Sequence, residues 1–380
     1  MIMRTLLLFF LMSTIVVVRA ADTVRLITPN ATLRTQALYQ NMKRLAENKI
    51  MFGHHDANDY GHLWKDESQR SDVKDVCGSH PAVYGHDFGS ITNVNAAPEQ
   101  QRIAEERLRK RILDGYCRGG INTITWHFDN PVNGKSFYYK DNPIKSVPLI
   151  LPGGDYHEVY KKVLATIAHF ASTLKDETGD LIPVIFRPYH EYDGNWFWWG
   201  VPHHCTREQF VDLWHFTIDY LRDTLKVSNF IYGFSPDCGF LSETDYLTYY
   251  PGDGYVDLIG MDNYWDLNPQ GGDIANFPVK LKIISDLAEK RNKVAALTET
   301  GIEGIPEADW WTGTLLPLLK KYQVKLSYLM VWRNAYQSPT HYFAPFPGQI
   351  SCADFIRFRN DEYILFENDL PAMYNFENNK

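Results

Sequence analysis

The sequence predicts an α/β fold, a single (β/α)8 TIM barrel with long loops at its C-terminal face. Short β-rich runs alternate with amphipathic stretches eight times along the chain, which implies parallel strands joined by right-handed crossovers. Polar and aromatic residues follow the strand-like runs, as expected where a barrel gathers its strand ends around one mouth. An open doubly wound sheet is the alternative, but no phosphate-binding GxGxxG follows the first strand.

The predicted strands are short apolar runs bounded by polar residues, Gly or Pro. In chain order they cover residues 50–53, 81–88, 121–128, 183–189, 230–235, 257–262, 294–298 and 326–332. A helix-like segment over residues 32–47 precedes the first of them.

Helix-like stretches with amphipathic spacing separate the strands. They cover residues 98–117, 155–174, 207–225, 278–291 and 309–322. Gly119-Gly120 and Gly179 supply stop signals. The helix after the fifth strand is poorly defined in the sequence.

Residues 1–20 are predicted to form a secretory signal peptide. Arg4 precedes an apolar run over residues 6–18, and Val18-Arg19-Ala20 offers small residues at a cleavage site. The run is shorter than the roughly 20 residues that a spanning helix needs, so stable membrane insertion is not expected. We therefore expect one catalytic domain over residues 21–380, exported to the periplasm or secreted.

Composition limits the class of partner. The chain has 38 Lys plus Arg against 46 Asp plus Glu, a net charge of -8, which argues against a nucleic-acid partner. The cysteines lie far apart without CxxC spacing, so neither a zinc ribbon nor a redox motif is predicted, and no disulfide pair is assigned. The sequence leaves the oligomeric state open.

Two glutamates follow predicted strands in similar positions. Glu191 closes the fourth strand and Glu299 closes the seventh. Opposed carboxylates at one mouth are the minimum equipment for glycoside hydrolysis, in which one protonates the leaving oxygen and the other stabilises or captures the oxocarbenium-like centre. The pair therefore indicates a glycosidase.

Aromatic residues at the strand ends favour a neutral carbohydrate. Flat aromatic faces pack against the apolar faces of sugar rings. No GxSxG nucleophile elbow occurs in the chain. The strand-end aromatics are Trp126, Tyr192, Trp196, Phe197, Trp198, Trp199, Tyr264, Trp265 and Trp332.

A metal-dependent hydrolase is the competing chemical interpretation. His54-His55-Asp56 ends the first strand, where some barrel hydrolases carry zinc ligands. Adjacent strand residues point in opposite directions, so the two histidines do not chelate as an i, i+2 pair would. A metal site would also need His86 and Asp87. We predict a hydrogen-bonded site histidine rather than a metal ligand, with no metal and no organic cofactor.

Ordered motifs along the chain resemble glycoside hydrolase family 26, the β-mannanases. The resemblance spans most of residues 21–380. The motifs are Gly53-His54-His55, Trp126-His127, Arg187-Pro188-Tyr189-His190-Glu191, Tyr250-Pro251-Gly252-Asp253 leading to Asp262-Asn263-Tyr264, Thr298-Glu299-Thr300-Gly301 and Trp332-Arg333-Asn334. His190 stands where many related barrel glycosidases have Asn, which is itself a feature of family 26.

The resemblance implies a retaining endo-β-1,4-mannanase acting on mannan, galactomannan or manno-oligosaccharides. Glu191 resembles the general acid/base, and Glu299 resembles the nucleophile. Arg187 could support either carboxylate or be structural. The residues expected around the sugar at the scissile bond are His127, His190, Trp196, Tyr264 and Trp332, with Tyr264 bonded to the nucleophile.

The residues alone do not separate mannan from other neutral β-glycans, and they leave open a barrel that binds sugar without cleaving it, although retention of both carboxylates disfavours that. Two long loops, residues 130–154 and 335–351, could each close one end of a cleft or simply pack on other loops. The alternatives to endo attack are thus an exo-acting, mannobiose-releasing enzyme and a β-glycanase with another substrate.

Overall fold

Eight parallel strands form a closed barrel in the computed structural model, which describes residues 25–376. Each strand pairs with the next, and the eighth pairs back onto the first, from Met51 opposite Tyr328 to His54 opposite Val331. The prediction of a (β/α)8 barrel is confirmed. The strands are β1 (Ile50–His55), β2 (Val83–Asp87), β3 (Ile121–Thr125), β4 (Val184–Arg187), β5 (Phe230–Phe234), β6 (Leu258–Asn263), β7 (Val294–Thr300) and β8 (Tyr328–Val331).

The predicted strands overlap all eight, but several of their ends differ. β2 and β4 begin after Pro81 and Pro183, because proline has no N–H for the ladder. β3 and β4 end before residues 126–128 and 188–189, which leave the sheet at the mouth. The predicted signal peptide, residues 1–20, lies outside the described residues.

Helices cover the outside of the barrel. After β5, where the sequence leaves the helix poorly defined, the structure has the single-turn helix Glu243–Tyr246 followed by short 3-10 turns. The stretch 309–322 begins as a wide turn, Trp310–Leu315, because Pro317 would clash with the carbonyl one turn earlier in a regular helix. The helices are Leu33–Leu45, Asp72–Cys77, Gly89–Thr92, Pro98–Cys117, Val147–Ile150, His157–Thr173, Arg207–Asp219 (extended by the wide turn Tyr220–Thr224), Glu243–Tyr246, Asn276–Lys290, Leu316–Lys320 and Cys352–Arg359.

Several elements are not predicted from the sequence. They include the short helices Asp72–Cys77, Gly89–Thr92 and Val147–Ile150, and three further elements. A two-residue strand, Ile364–Leu365, pairs with the start of β1. A small hairpin, Tyr60–Gly61 with Trp64–Lys65, lies in the loop after β1. The third is the helix Cys352–Arg359. All three are short or lie outside the repeating strand–helix pattern.

Strand side chains alternate between two hydrophobic layers. Met51 belongs to the cluster inside the barrel, whereas its neighbour Phe52 belongs to the layer between strands and helices. Leu38 and Met42, from the helix Leu33–Leu45, join the inner cluster. This helix closes one end of the barrel. The C-terminal ends of the strands form the open mouth at the other end, where barrel enzymes have their active sites.

Within residues 25–376, no helix has both the length and the apolar character needed to cross a membrane. The five cysteines are free thiols.

Candidate active site

A cavity of about 730 Å³ opens at the C-terminal ends of the strands. The structure brings together on its wall all seven residues that the sequence predicts for the site. They are His127, His190, Glu191, Trp196, Tyr264, Glu299 and Trp332.

Glu191 lies on a tight turn beyond the end of β4. Its backbone has a left-handed φ of 50°, and that of Tyr189 is 51°, conformations that cost about 1–3 kcal/mol each in residues other than glycine. The surroundings hold the turn in place. Tyr189 is buried and its hydroxyl is bonded to Thr217 at 2.9 Å, while the Glu191 N–H donates to the Ser235 carbonyl at 2.9 Å. The turn aims the carboxyl group into the cavity.

The environment of Glu191 favours the protonated acid. Burial raises the pKa of its carboxyl group well above the ordinary value, and the negative charges of Asp262, Glu299 and Asp237 raise it further. The Trp196 indole N–H donates to Glu191 Oε2 at 2.7 Å and opposes this rise. Glu191 is thus suited to donate a proton.

Glu299 lies within β7 at a β-bulge. Met261 of β6 is opposite Leu297, but the next residue, Asp262, is opposite Glu299, so Thr298 is an extra residue. The pairing with β8 shifts at the same point. A bulge re-aims the side chains beside it, and here it directs Glu299 into the mouth beside Asp262.

Hydrogen bonds occupy both carboxylate oxygens of Glu299. Arg187 Nη2 donates to Oε1 at 2.5 Å, and the Tyr264 hydroxyl donates to Oε2 at 3.0 Å. Burial, followed by the charges of Glu299 and Asp262, raises the pKa of Tyr264 well above its usual value, so the phenol keeps its proton. Both oxygens of the Glu299 carboxylate thus have a donor, and the two hydrogen bonds fix the orientation of the group.

Arg187 is fully buried and links two carboxylates. Besides Glu299, its guanidinium donates to Asp262 Oδ1 at 2.9 Å and to Ser235 Oγ at 2.7 Å. Thr298 also donates to Asp262, at 2.6 Å. The sequence leaves open whether Arg187 supports Glu191, supports Glu299 or is structural. In the structure its guanidinium contacts Glu299.

Aromatic and histidine side chains complete the wall. His190 is buried, and desolvation together with the charges of His127 and Arg187 lowers its pKa well below the usual value, so its imidazole is neutral. Its ring meets that of His127 edge-on at 4.7 Å. His127 bonds through Nδ1 to Asp87. Trp332 lies 5.7 Å from His127, between centroids.

Three carboxylates approach one another closely enough to hold a cation. One oxygen from each of Glu191, Asp262 and Glu299 lies within 4.8 Å of the others. Arg187 already supplies a positive charge to two of the three, which reduces the attraction for a metal ion.

Of the two adjacent histidines of the first strand, His55 is hydrogen-bonded. Its Nε2 lies 3.3 Å from Thr125 Oγ1, its Nδ1 lies 3.1 Å from Asp56 Oδ2, and its ring packs on Trp332 at 4.2 Å. His55 therefore supports Trp332 in the wall of the cavity.

A second cavity, of about 760 Å³, adjoins the first. Both are lined by His127, Trp332, Tyr138 and His341. Tyr138 and His341 come from the two long loops, and the strand-end pattern does not identify them. Only the aromatic content and the length of those loops could have pointed to them.

This combination of barrel, opposed carboxylates and adjoining cavities defines a glycoside hydrolase. The model of glycosyl hydrolase family 26 matches residues 27–341. The chain belongs to that family.

Three relatives illustrate the similarity. A mannan endo-1,4-beta-mannosidase from Bifidobacterium adolescentis is 36% identical over 283 residues, which cover 72% of this chain and 28% of that protein. GH26C from Muricauda sp. MAR_2010_75 superposes with a TM-score of 0.87 at 39% identity, covering 93% of this chain and 96% of that one. A GH26 beta-mannanase from Bacteroides ovatus has a TM-score of 0.84 at 40% identity, with 91% and 98% covered. The chain thus spans less than a third of the Bifidobacterium protein.

Proposed function

We propose that the protein is a retaining endo-β-1,4-mannanase. The observation that carries the mechanism is the separation of the two glutamates, whose nearest carboxylate oxygens lie within 4.8 Å. Retaining glycosidases hold their carboxyl groups about 5–5.5 Å apart, whereas inverting enzymes need about 6.5–9.5 Å to fit a water molecule. The short separation favours direct attack by one carboxylate.

In the first step Glu191, the general acid, protonates the glycosidic oxygen while Glu299 attacks the anomeric carbon. The glycosidic C–O bond breaks, and a covalent glycosyl-enzyme forms. In the second step Glu191, now a base, takes a proton from water, and the water oxygen displaces Glu299. The hydrogen bonds from Arg187 and Tyr264 orient the Glu299 carboxylate for this attack.

The other five predicted residues bind the sugar at the scissile bond. Trp196 and Trp332 supply aromatic faces and His127 and His190 supply ring nitrogens at the cavity wall. Tyr264 both lines the cavity and holds the nucleophile.

The substrate assignment rests on the relatives, because the Bifidobacterium protein is named a mannan endo-1,4-beta-mannosidase and the Bacteroides protein a beta-mannanase. The endo mode is supported by the second cavity, because a groove that continues past His127 and Trp332 can hold a chain extending beyond the scissile bond.

We further propose that residues 21–380 form the exported catalytic domain after cleavage near Ala20.

The test follows the products released from unbranched β-1,4-mannan by chromatography from the earliest detectable conversion. A ladder of oligosaccharides is expected. Mannobiose alone from the start would contradict endo attack, and the absence of cleavage would contradict the mannanase assignment. Mass spectrometry of the exported protein tests the cleavage near Ala20.

A further inference from the structure

We propose that the hydroxyl group of Tyr138 binds the substrate where the two cavities meet, as a residue that determines affinity for the sugar chain. The inference rests on the proposed function. It adds a substrate contact from the long loop 130–154, which supplies none of the residues identified above from the strand ends.

The loop holds Tyr138 in a fixed place beside the acid/base turn. Tyr138 forms an antiparallel bridge with Phe197. On either side of this bridge, the Tyr139 N–H donates to the Trp196 carbonyl at 2.7 Å, and the Trp198 N–H donates to the Phe137 carbonyl at 3.2 Å. The same segment carries the indole that bonds Glu191, so the position of Tyr138 is coupled to the catalytic geometry.

Tyr138 lies at the junction of the two halves of the groove. It lines both cavities, and its side chain is 39% exposed. Burial raises the pKa of its hydroxyl, the charge of Glu191 adds to the rise, and the charge of Arg333 opposes it. Glu191 lines only the first cavity and Arg333 only the second, whereas Tyr138 lines both.

The contacts of the ring indicate which part of Tyr138 meets the sugar. Phe197 stacks on the ring with centroids 5.8 Å apart, and the Lys140 ammonium lies 5.4 Å from its centroid. Phe137 packs against it at 4.6 Å. The ring is therefore poorly placed as a stacking platform. Its hydroxyl has no hydrogen-bond partner among residues 25–376, so it is free to bond a sugar hydroxyl.

The test is Tyr138→Phe, which removes only the oxygen atom. Loss of one neutral hydrogen bond predicts a fall in kcat/KM on β-1,4-mannan of about three- to tenfold, mainly through KM. The matched control is Tyr322→Phe, at an exposed tyrosine ahead of the N-terminal end of β8, and it should leave both constants unchanged.

Binding gives a readout independent of turnover. In a Glu299→Ala background, calorimetry with mannohexaose should show the affinity weakened by the same factor when Tyr138→Phe is added. Wild-type constants for Tyr138→Phe in both assays would overturn the inference while leaving the proposed function intact. Failure of the wild-type enzyme to cleave mannan and of Glu299→Ala to bind mannohexaose would overturn both.

Discussion

The two glutamates of the site are carried by contrasting parts of the barrel. Glu191 lies on a left-handed turn beyond β4 and accepts one side-chain hydrogen bond, from Trp196. Glu299 lies inside β7 at a bulge, and Arg187 and Tyr264 each donate to one of its oxygens. The surroundings of Glu191 thus favour the protonated acid, whereas two donors hold the carboxylate of Glu299 in a fixed orientation. The difference shows that the neighbouring groups, rather than the residue type, determine which glutamate acts as the acid and which as the nucleophile.

The largest effect should come from removing the proposed nucleophile. Glu299→Gln should lower kcat by on the order of 10⁴-fold or more for every substrate, because no covalent intermediate can form. Initial rates on mannan and on an aryl mannobioside measure this. A variant with wild-type rates on either substrate would contradict the role of Glu299.

Removing the proposed acid should discriminate between substrates. Glu191→Gln should lower turnover of mannan by roughly 10²–10⁴-fold. Formation of the glycosyl-enzyme from a dinitrophenyl mannobioside should be spared, because that leaving group needs no proton. The burst of dinitrophenolate measures this first step. Equal losses on both substrates would remove the contrast between the two glutamates.

Arg187 connects the nucleophile to the buried Asp262, so its loss should affect folding as well as activity. Arg187→Met leaves carboxylates without their buried cation and should lower the free energy of unfolding by about 3–5 kcal/mol. Urea denaturation measures the change. The control is Arg102→Met, at an exposed arginine paired only with Glu99 and Glu106, and its midpoint should match that of the wild type. Matching midpoints for both variants would show that the buried pair does not stabilise the fold.

Tyr264 offers a smaller change at the same carboxylate. Tyr264→Phe removes the donor to Glu299 Oε2, and a hydrogen bond to a charged group is worth about 1.5–3 kcal/mol. We expect kcat to fall by roughly ten- to a hundredfold, with the fold unchanged in circular dichroism. An unchanged kcat would show that Arg187 alone sustains the nucleophile.

The mildest change tests the proton donor. The Trp196 indole stabilises the carboxylate of Glu191, so Trp196→Phe should raise the pKa of that group further. The alkaline limb of kcat/KM, where the acid loses its proton, should move to higher pH by about one unit or less. Trp265→Phe, at an exposed tryptophan on the loop after β6, should leave the limb in place. A shift to lower pH after Trp196→Phe would contradict the assignment.

The sequence predicts the barrel because alternation and strand-end chemistry are local patterns. It also predicts that Glu191 and Glu299 share one mouth, because parallel strands end on the same side. The bulge at Thr298 could not be predicted, since it depends on the register of two neighbouring strands. The hydrogen bond from Arg187 to Glu299 could not be predicted either, because Glu299 lies at this bulge. Tyr138 and His341 come from long loops, which have no periodicity to place them.

The measurement that tests the central claim most directly is the configuration of the first product. Nuclear magnetic resonance of a manno-oligosaccharide hydrolysate, recorded before mutarotation, distinguishes the two anomers of the new reducing end. Because the carboxylate oxygens lie within 4.8 Å, double displacement predicts that the β-anomer appears first. Initial release of the α-anomer would mean that water attacks directly, and the assignment of Glu299 as the nucleophile would be wrong.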